Sequence, residues 1–410
     1  MLDKKYLSLD KAYRILLDSI KFRSLSFEMV PLEEAYGRIT YEDIYASENL
    51  PGFKRSTVDG FAVRSQDTFG AKETMPVYLT VKGEILMGEA PSFYLNPGEA
   101  AGIGTGGMLP EGADAVVMVE HVNIVSQNLI EVLKPVAPGE NVILEDEDIK
   151  KDELIIPAGK RLKPQDIGGL AGLGFTEVKV TKKPIVAIIL TGDEIIPHNE
   201  KATPGKVRDI NSFTLAGLIQ NTGGISVKMG IVKDKYEDIK DLVNKAYQIA
   251  DIILITGGTS AGIKDMTAQI INELGTPGII FHGVLIKPGK PVIAGICNGK
   301  PVFGLPGHPV AVYICFELFI KPVMEKMLGV NEKKFKNIVK AKLAKSIYSQ
   351  AGRTDFVRIQ LKEENGELWA YPLLTKSGLI TTLIKANGIL CIPEELLGYE
   401  KEEIVEVELL

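Results

Sequence analysis

The stretch DIILITGGTSAGIKD (251–265) decides the fold. A short apolar run ends in turn chemistry, and an aspartate, Asp265, closes the loop. The same grammar recurs in IVAIILTGDE (185–194). With ISVKMGIV (225–232) and GIIFHGVLI (278–286) these runs read as strands, and SFTLAGLIQN and YEDIKDLVNKAYQIA separate the first three with helical spacing. Such alternation predicts a mostly parallel sheet with helices on both faces, closed by a helix over 309–328 after GLPGHP.

The flanking regions have other textures. Residues 1–26 read as a charged amphipathic helix, not a signal peptide. From 27 to 145 the chain is strand-like and rich in Gly and Pro. Residues 146–180 return to polar turns that end in PQDIGGLAGLGF, a candidate short helix, and 329–410 are again β-rich. A chain of 410 residues suggests two to four domains.

Composition excludes several function classes. Lys+Arg 47 against Asp+Glu 53 leaves a net charge of −6, which argues against nucleic acid as the main partner. The longest apolar run, VAVYICFELFI (310–320), is interrupted by Glu317 and is too short to cross a bilayer, so no membrane partner is expected. The three cysteines, Cys297, Cys315 and Cys391, are far apart and form no CxxC, which points away from a disulfide framework or a thiolate metal site. The chain reads as cytoplasmic.

Chemistry is expected at the loops. In an open parallel sheet, ligands sit outside the carboxyl ends of the strands. There TGDE (191–194) and TGGTS (256–260) offer backbone N–H groups of Gly257, Gly258, Thr259 and Ser260 beside a helix start, a setting that favours an anion such as phosphate. Gly-rich turns are also ordinary in any α/β domain. Two familiar phosphate motifs fail on context. Ile263 stands where a P-loop needs lysine, and GIGTGG (102–107) neither follows a strand nor opens a helix. Glu194, Asp234 and Asp265 share one sheet edge and could hold a hard cation such as Mg²⁺, although helix capping or solvation accounts for any one of them. Lys287 and Lys290 flank a Pro-Gly turn and suit an oxyanion or a solvated surface turn. Asp59, before a glycine, is explained by turn chemistry alone.

Taken together and in order, PGFKRSTVDGFAVR, TGGMLPEGADAVVMVEH, EDIKKDELIIPAGKRLKPQDIGGLAGLG, ILTGDEI, VRDINSFTLAGLI, ITGGTSAGIKDMT, IKPGKP, GLPGHPVA and ANGILCIP resemble the molybdopterin molybdenumtransferase (MoeA) family and the E domain of gephyrin. The resemblance spans about residues 30 to 395. It implies a segmented helical domain I (1–26, 43–50, 146–180), an inserted β domain II (27–42, 51–145), a three-layer α/β domain III (181–328) and a C-terminal β-barrel domain IV (329–410). It also implies a homodimer whose cleft joins domain III to domain II of the other subunit. The implied reaction inserts molybdate (or tungstate) into adenylylated molybdopterin with Mg²⁺ and releases AMP. A molybdopterin adenylyltransferase is the implied delivery partner.

By motif position, Asp59, Thr105, Glu194, Asp234 and Asp265 match acids and a threonine tied to activity. Lys287 matches an oxyanion or phosphate lysine, Arg358 and Ser377 face the cleft from domain IV, and Pro306 and Pro309 shape the edge of domain III. Gly283 stands where the family often has a basic residue, so one anion contact is lost or replaced. His308 replaces the usual asparagine and reads as a helix-start histidine bonded to backbone, and TKSGL departs from the family form around Ser377. A gephyrin-like scaffold and a related nucleotide-pyrophosphate hydrolase are the competing readings. A chain that starts directly with the E-type region favours a free-standing enzyme over the scaffold.

Overall fold

A computed structural model describes residues 6–20, 25–257, 261–332 and 337–410. The α/β unit carries a six-stranded sheet in the order Ile225–Val232, Ile185–Thr191, Ile252–Gly257, Lys300–Leu305, Ile293–Cys297, Pro277–His282. The first four strands run parallel, and the hairpin Ile293–Cys297/Lys300–Leu305 supplies the antiparallel member. Sequence reading foresaw the other four strands but not this hairpin, whose second strand sits centrally beside Ile252–Gly257. The central strands are apolar almost throughout because both faces are covered. Ile188 and Leu254 face a core with Leu215, Phe303 and Phe316, while Ile189 and Ile253 face Val243 and Ile271.

GIIFHGVLI does not form one strand. Gly283, at φ +92°, ends the strand Pro277–His282, and Ile286–Lys287 turns away to pair in parallel with Thr354–Asp355. Those residues begin Thr354–Glu364, part of a closed barrel with Glu367–Pro372, Ile338–Leu343, Ile404–Leu409 and Gly388–Ile392. Alternate residues Leu343, Val357, Ile359, Leu390, Val405 and Val407 fill it.

A second six-stranded sheet, Ala115–Met118, Gly60–Val63, Glu99–Ile103, Val77–Ile85, Leu129–Val132, Val122–Ser126, forms the N-terminal β unit. Its period-2 pattern serves two cores: Ala62, Ala101 and Val116 face one way, Val63, Ala100 and Val117 the other. The strand Phe27–Pro31, placed with this unit by its β-rich composition, instead pairs with Glu177–Thr181 and buries Val30 against Leu162, Leu170 and Val178. Strand propensity does not say which sheet a strand joins. The helix Leu9–Ser19 buries Ala12 and Leu16 in the α/β core.

Gly257 (φ +147°) shows how tightly the sheet edge is built. A Cβ there would lie 1.7 Å from the Thr191 carbonyl oxygen of the neighbouring strand. The glycine therefore answers a backbone approach within the sheet. Gly257→Ala forces the two central strands apart and should destabilise by more than about 1 kcal/mol, lowering Tm by at least about 2–4 °C in a thermal melt.

Candidate active site

The parallel strands deliver their carboxyl ends to one edge. Glu194, Gly257 and Pro309 line a cavity of about 300 Å³ together with Asn211 and His308. Next to it, Lys287, Lys290, Pro306, Arg358 and Ser377 line a cleft of about 1120 Å³ between this edge and the barrel, and His308 belongs to both. Gly258, Thr259 and Ser260 lie outside the described residues.

An acidic end is built from strand-end loops. Burial, and then the charges of Glu194 and Asp193, push the carboxyl of Asp234 above its usual range, while hydrogen bonds from Thr191 and the Asp193 amide oppose the shift. One oxygen of Asp234, Oδ1, is buried without a partner. Sequence reading missed Asp193. Asp265 is exposed near the start of the helix Ala261–Leu274. Among the described residues, no three His, Cys, Asp or Glu side chains form a ready metal cage. Mg²⁺ needs only one or two carboxylates when phosphate oxygens and waters complete its shell, and a buried orphan carboxylate oxygen beside a second acid suits such a hard cation.

The cleft beside it is cationic: its lining carries Lys287, Lys290, Arg353, Arg358 and Lys376 against Asp355. Arg358 is the decisive member. It is 6% exposed, donates to the carbonyls of Leu373 (3.2 Å) and Thr375 (2.9 Å), and leaves Nε buried with no acceptor. Burial lowers its pKa, yet a guanidinium keeps its charge in proteins. Asp355 is buried and grips Arg353 through two contacts of 2.6 and 3.0 Å. Lys287 Nζ is 3.7 Å from the same carboxylate, so it is oriented but still exposed.

Two departures from the expected pattern find physical reasons. A Cβ at Gly283 would fall 2.4 Å from the Tyr6 ring, and Lys290 Nζ rests 4.1 Å from that ring's centroid. Tyr6 therefore occupies the space of a side chain at 283 and holds a cleft lysine by cation–π attraction. His308 does not bond backbone through its ring as expected. Its Nδ1 shares a 2.8 Å hydrogen bond with Ser377 Oγ, and the Val310 amide donates to the Ser377 carbonyl at 3.2 Å. The departing loop thus seals the barrel to the sheet edge.

Asp59 and Thr105 stand apart. Asp59 Oδ1 accepts from the Thr105 amide (2.7 Å) and hydroxyl (2.8 Å), which hold its carboxyl below the usual range. No residue of 27–145 lines either cavity just described. The cysteines supply no reactive thiolate there: burial raises the Cys297 thiol to about 11 and pushes Cys315 up as well.

Tyr6, Asn211, Asp193, Arg353 and Asp355 escaped sequence reading. Chain proximity was the usable signal: Asp193 sits beside Glu194 in TGDE, Asn211 lies in VRDINSFTLAGLI, and Arg353 and Asp355 share the RTDFVR run with Arg358.

Comparison with known proteins agrees with this architecture. The pattern of the "MoeA N-terminal region (domain I and II)" matches residues 7–174, that of the "Probable molybdopterin binding domain" residues 187–326, and that of the "MoeA C-terminal region (domain IV)" residues 340–410. The molybdopterin molybdenumtransferase of Bacillus subtilis is 34% identical over 387 residues, 93% of this chain and 90% of that one. Its counterpart from Staphylococcus epidermidis is 31% identical over 398 residues, covering 96% and 93%. The crystal structure of the molybdopterin biosynthesis MoeA protein from Pyrococcus horikoshii superposes with a TM-score of 0.85 at 37% identity, covering 99% of this chain and 100% of that one. The chain belongs to the MoeA family of molybdopterin molybdenumtransferases, enzymes of molybdenum cofactor biosynthesis.

Proposed function

We propose that this enzyme inserts molybdate, or the similarly sized and charged tungstate, into adenylylated molybdopterin with Mg²⁺-assisted release of AMP, acting in the cytoplasm as a homodimer. The observation that carries the reading is the buried, uncompensated Arg358 with its orphan Nε in a cleft of about 1120 Å³ lined by four further cationic side chains. A buried charge without a partner is costly. An oxyanion entering the cleft supplies the missing acceptor and countercharge.

The residues divide the work by charge. Lys287, Lys290 and Arg358 hold the oxyanion, and the Ser377 hydroxyl, fixed by His308, adds a polar contact at its rim. The backbone of the 256–260 loop receives phosphate. Pro306 and Pro309 keep the intervening turn open. Asp234, Glu194 and Asp265 would hold Mg²⁺, which when bound neutralises phosphate charge and eases departure of AMP. Asp59 and Thr105, rigidly paired but away from the cleft of their own chain, complete the cleft of the neighbouring subunit. A molybdopterin adenylyltransferase is the partner suited to hand over so reactive a substrate. The division into domains I to IV is part of the same reading, with the strand Phe27–Pro31 joined to domain I through its pairing.

Incubating the purified enzyme with adenylylated molybdopterin, Mg²⁺ and each oxyanion separately should release AMP in step with metal insertion. Absence of both products with both oxyanions overturns the reading. Lys287→Ala should raise the half-saturating oxyanion concentration about 10- to 100-fold, the equivalent of one charge-assisted contact of about 1.5–3 kcal/mol, and excess oxyanion should restore the rate.

Asp234→Asn makes an opposite pair of effects. A carboxyl whose folded pKa is raised contributes stability only while protonated, and loses it as pH rises through that raised value. At pH 7 the ionised group is therefore a burden that the amide lacks. The variant should melt higher than wild type at pH 7, with the difference shrinking on acidification, while Mg²⁺ no longer stimulates AMP release.

Subunit sharing is checked by mixing. Asp59→Asn and Asp265→Asn chains, each inactive alone, should regain measurable turnover once exchanged into heterodimers, because one site then carries neither substitution. Verified heterodimers that stay inactive would place each site within one chain.

A further inference from the structure

Asn211 opens the helix Asn211–Thr222 and is more than nine-tenths buried, at 6% exposure. Its amide nitrogen donates to Thr256 Oγ1 (3.2 Å) and to the Gly307 carbonyl (2.9 Å), and Thr256 Oγ1 in turn donates to the Pro306 carbonyl (3.1 Å). This chain fixes the orientation of the amide. Turning it over would set oxygen against the Gly307 carbonyl. Oδ1 is thereby committed as an acceptor, and it is buried with no donor. The same residue lines the cavity of about 300 Å³ that meets the cationic cleft at His308.

We infer that Asn211 Oδ1 accepts a hydrogen bond from the 2-amino group of the pterin and so selects and orients the substrate's ring system. The inference rests on molybdopterin being the substrate of this site. Two parts of the adenylylated substrate carry N–H donors, the pterin and the adenine, whereas the phosphates present acceptors and the dithiolene presents sulfur. The pterin is the one fused to the ring that bears the dithiolene, so its 2-amino edge is the donor placed at Asn211 when the sulfur end lies at the adjoining cationic cleft. Seating the amino edge against Asn211 turns the sulfur end towards His308 and the adjoining cleft, where Arg358, Lys287 and Lys290 hold the oxyanion. Asn211 is then a specificity residue that acts on the ring system, while its nitrogen ties the end of the strand Ile252–Gly257 to the turn after Lys300–Leu305.

The test compares 6-hydroxymethylpterin with 6-hydroxymethyllumazine as inhibitors of turnover. In the lumazine a carbonyl replaces the 2-amino group and would face Oδ1 acceptor to acceptor. Wild type should be inhibited at least tenfold more strongly by the pterin. Asn211→Leu, nearly isosteric, should lose that preference and show a higher half-saturating substrate concentration, with half-saturating molybdate within twofold of wild type. A purely structural role would move both constants together and leave the preference intact, which overturns the proposal. Equal inhibition of wild type by both compounds, or inhibition by neither while turnover persists, also overturns it, whether or not the leucine variant folds. Absence of molybdopterin-dependent turnover in wild type instead sinks the functional reading on which the inference rests.

Discussion

Two residues, Ile286 and Lys287, leave the α/β sheet and pair in parallel with Thr354 and Asp355 at the start of a barrel strand. That short ladder sets one wall of the cleft against the other. It depends on the strand ending at Gly283, where the Tyr6 ring leaves no room for a Cβ. On the far side the contact between His308 and Ser377 and the Val310 amide close the same seam. Lys287 consequently reaches the cleft from one unit and Arg358 from the other, so neither unit alone holds the cationic pocket.

Charge is sorted along the seam. Asp193, Glu194 and Asp234 gather after the strands Ile185–Thr191 and Ile225–Val232, and burial, followed by the charges of Glu194 and Asp193, raises the carboxyl of Asp234. Five cationic side chains line the neighbouring cleft, Lys287 and Lys290 from the α/β unit and Arg353, Arg358 and Lys376 from the barrel. Between them, Asn211 binds the end of the strand Ile252–Gly257 to the turn after Lys300–Leu305.

Buried polar atoms without partners are uncommon in folded proteins. Among the described residues four such side-chain atoms occur, and two of them, Asn211 Oδ1 and Arg358 Nε, belong to residues that line the two adjoining cavities, while Asp234 Oδ1 and Ser349 Oγ are the others. Core packing elsewhere is apolar and closed, with Phe303, Phe316 and Phe319 fully buried. Stability is forgone at the place where a ligand can return it.

Much of this was legible before any coordinates. Alternation of β-rich runs with helical segments identified the α/β unit, because a strand covered on both faces is apolar throughout and needs a crossover helix. The ordered motifs carried Lys287, Arg358 and Ser377 to positions that do meet in one cleft. Other features were invisible for stated reasons. Period-2 patterning reports that a residue faces a core but not which sheet it joins, so Phe27–Pro31 and the hairpin ending at Leu305 were misplaced or missed. Glycines read as loops for a ligand; at Gly257 the neighbour is the backbone of Thr191. Tyr6 beside Lys290, Asp355 between Lys287 and Arg353, and the orphan oxygen of Asn211 all arise from contacts between residues distant in the chain. The sequence by itself determined the elements, the charge types available and the family. Tertiary structure decided which charges face one another and which are left unpaired, because burial and hydrogen-bond geometry exist only once separate segments are packed together.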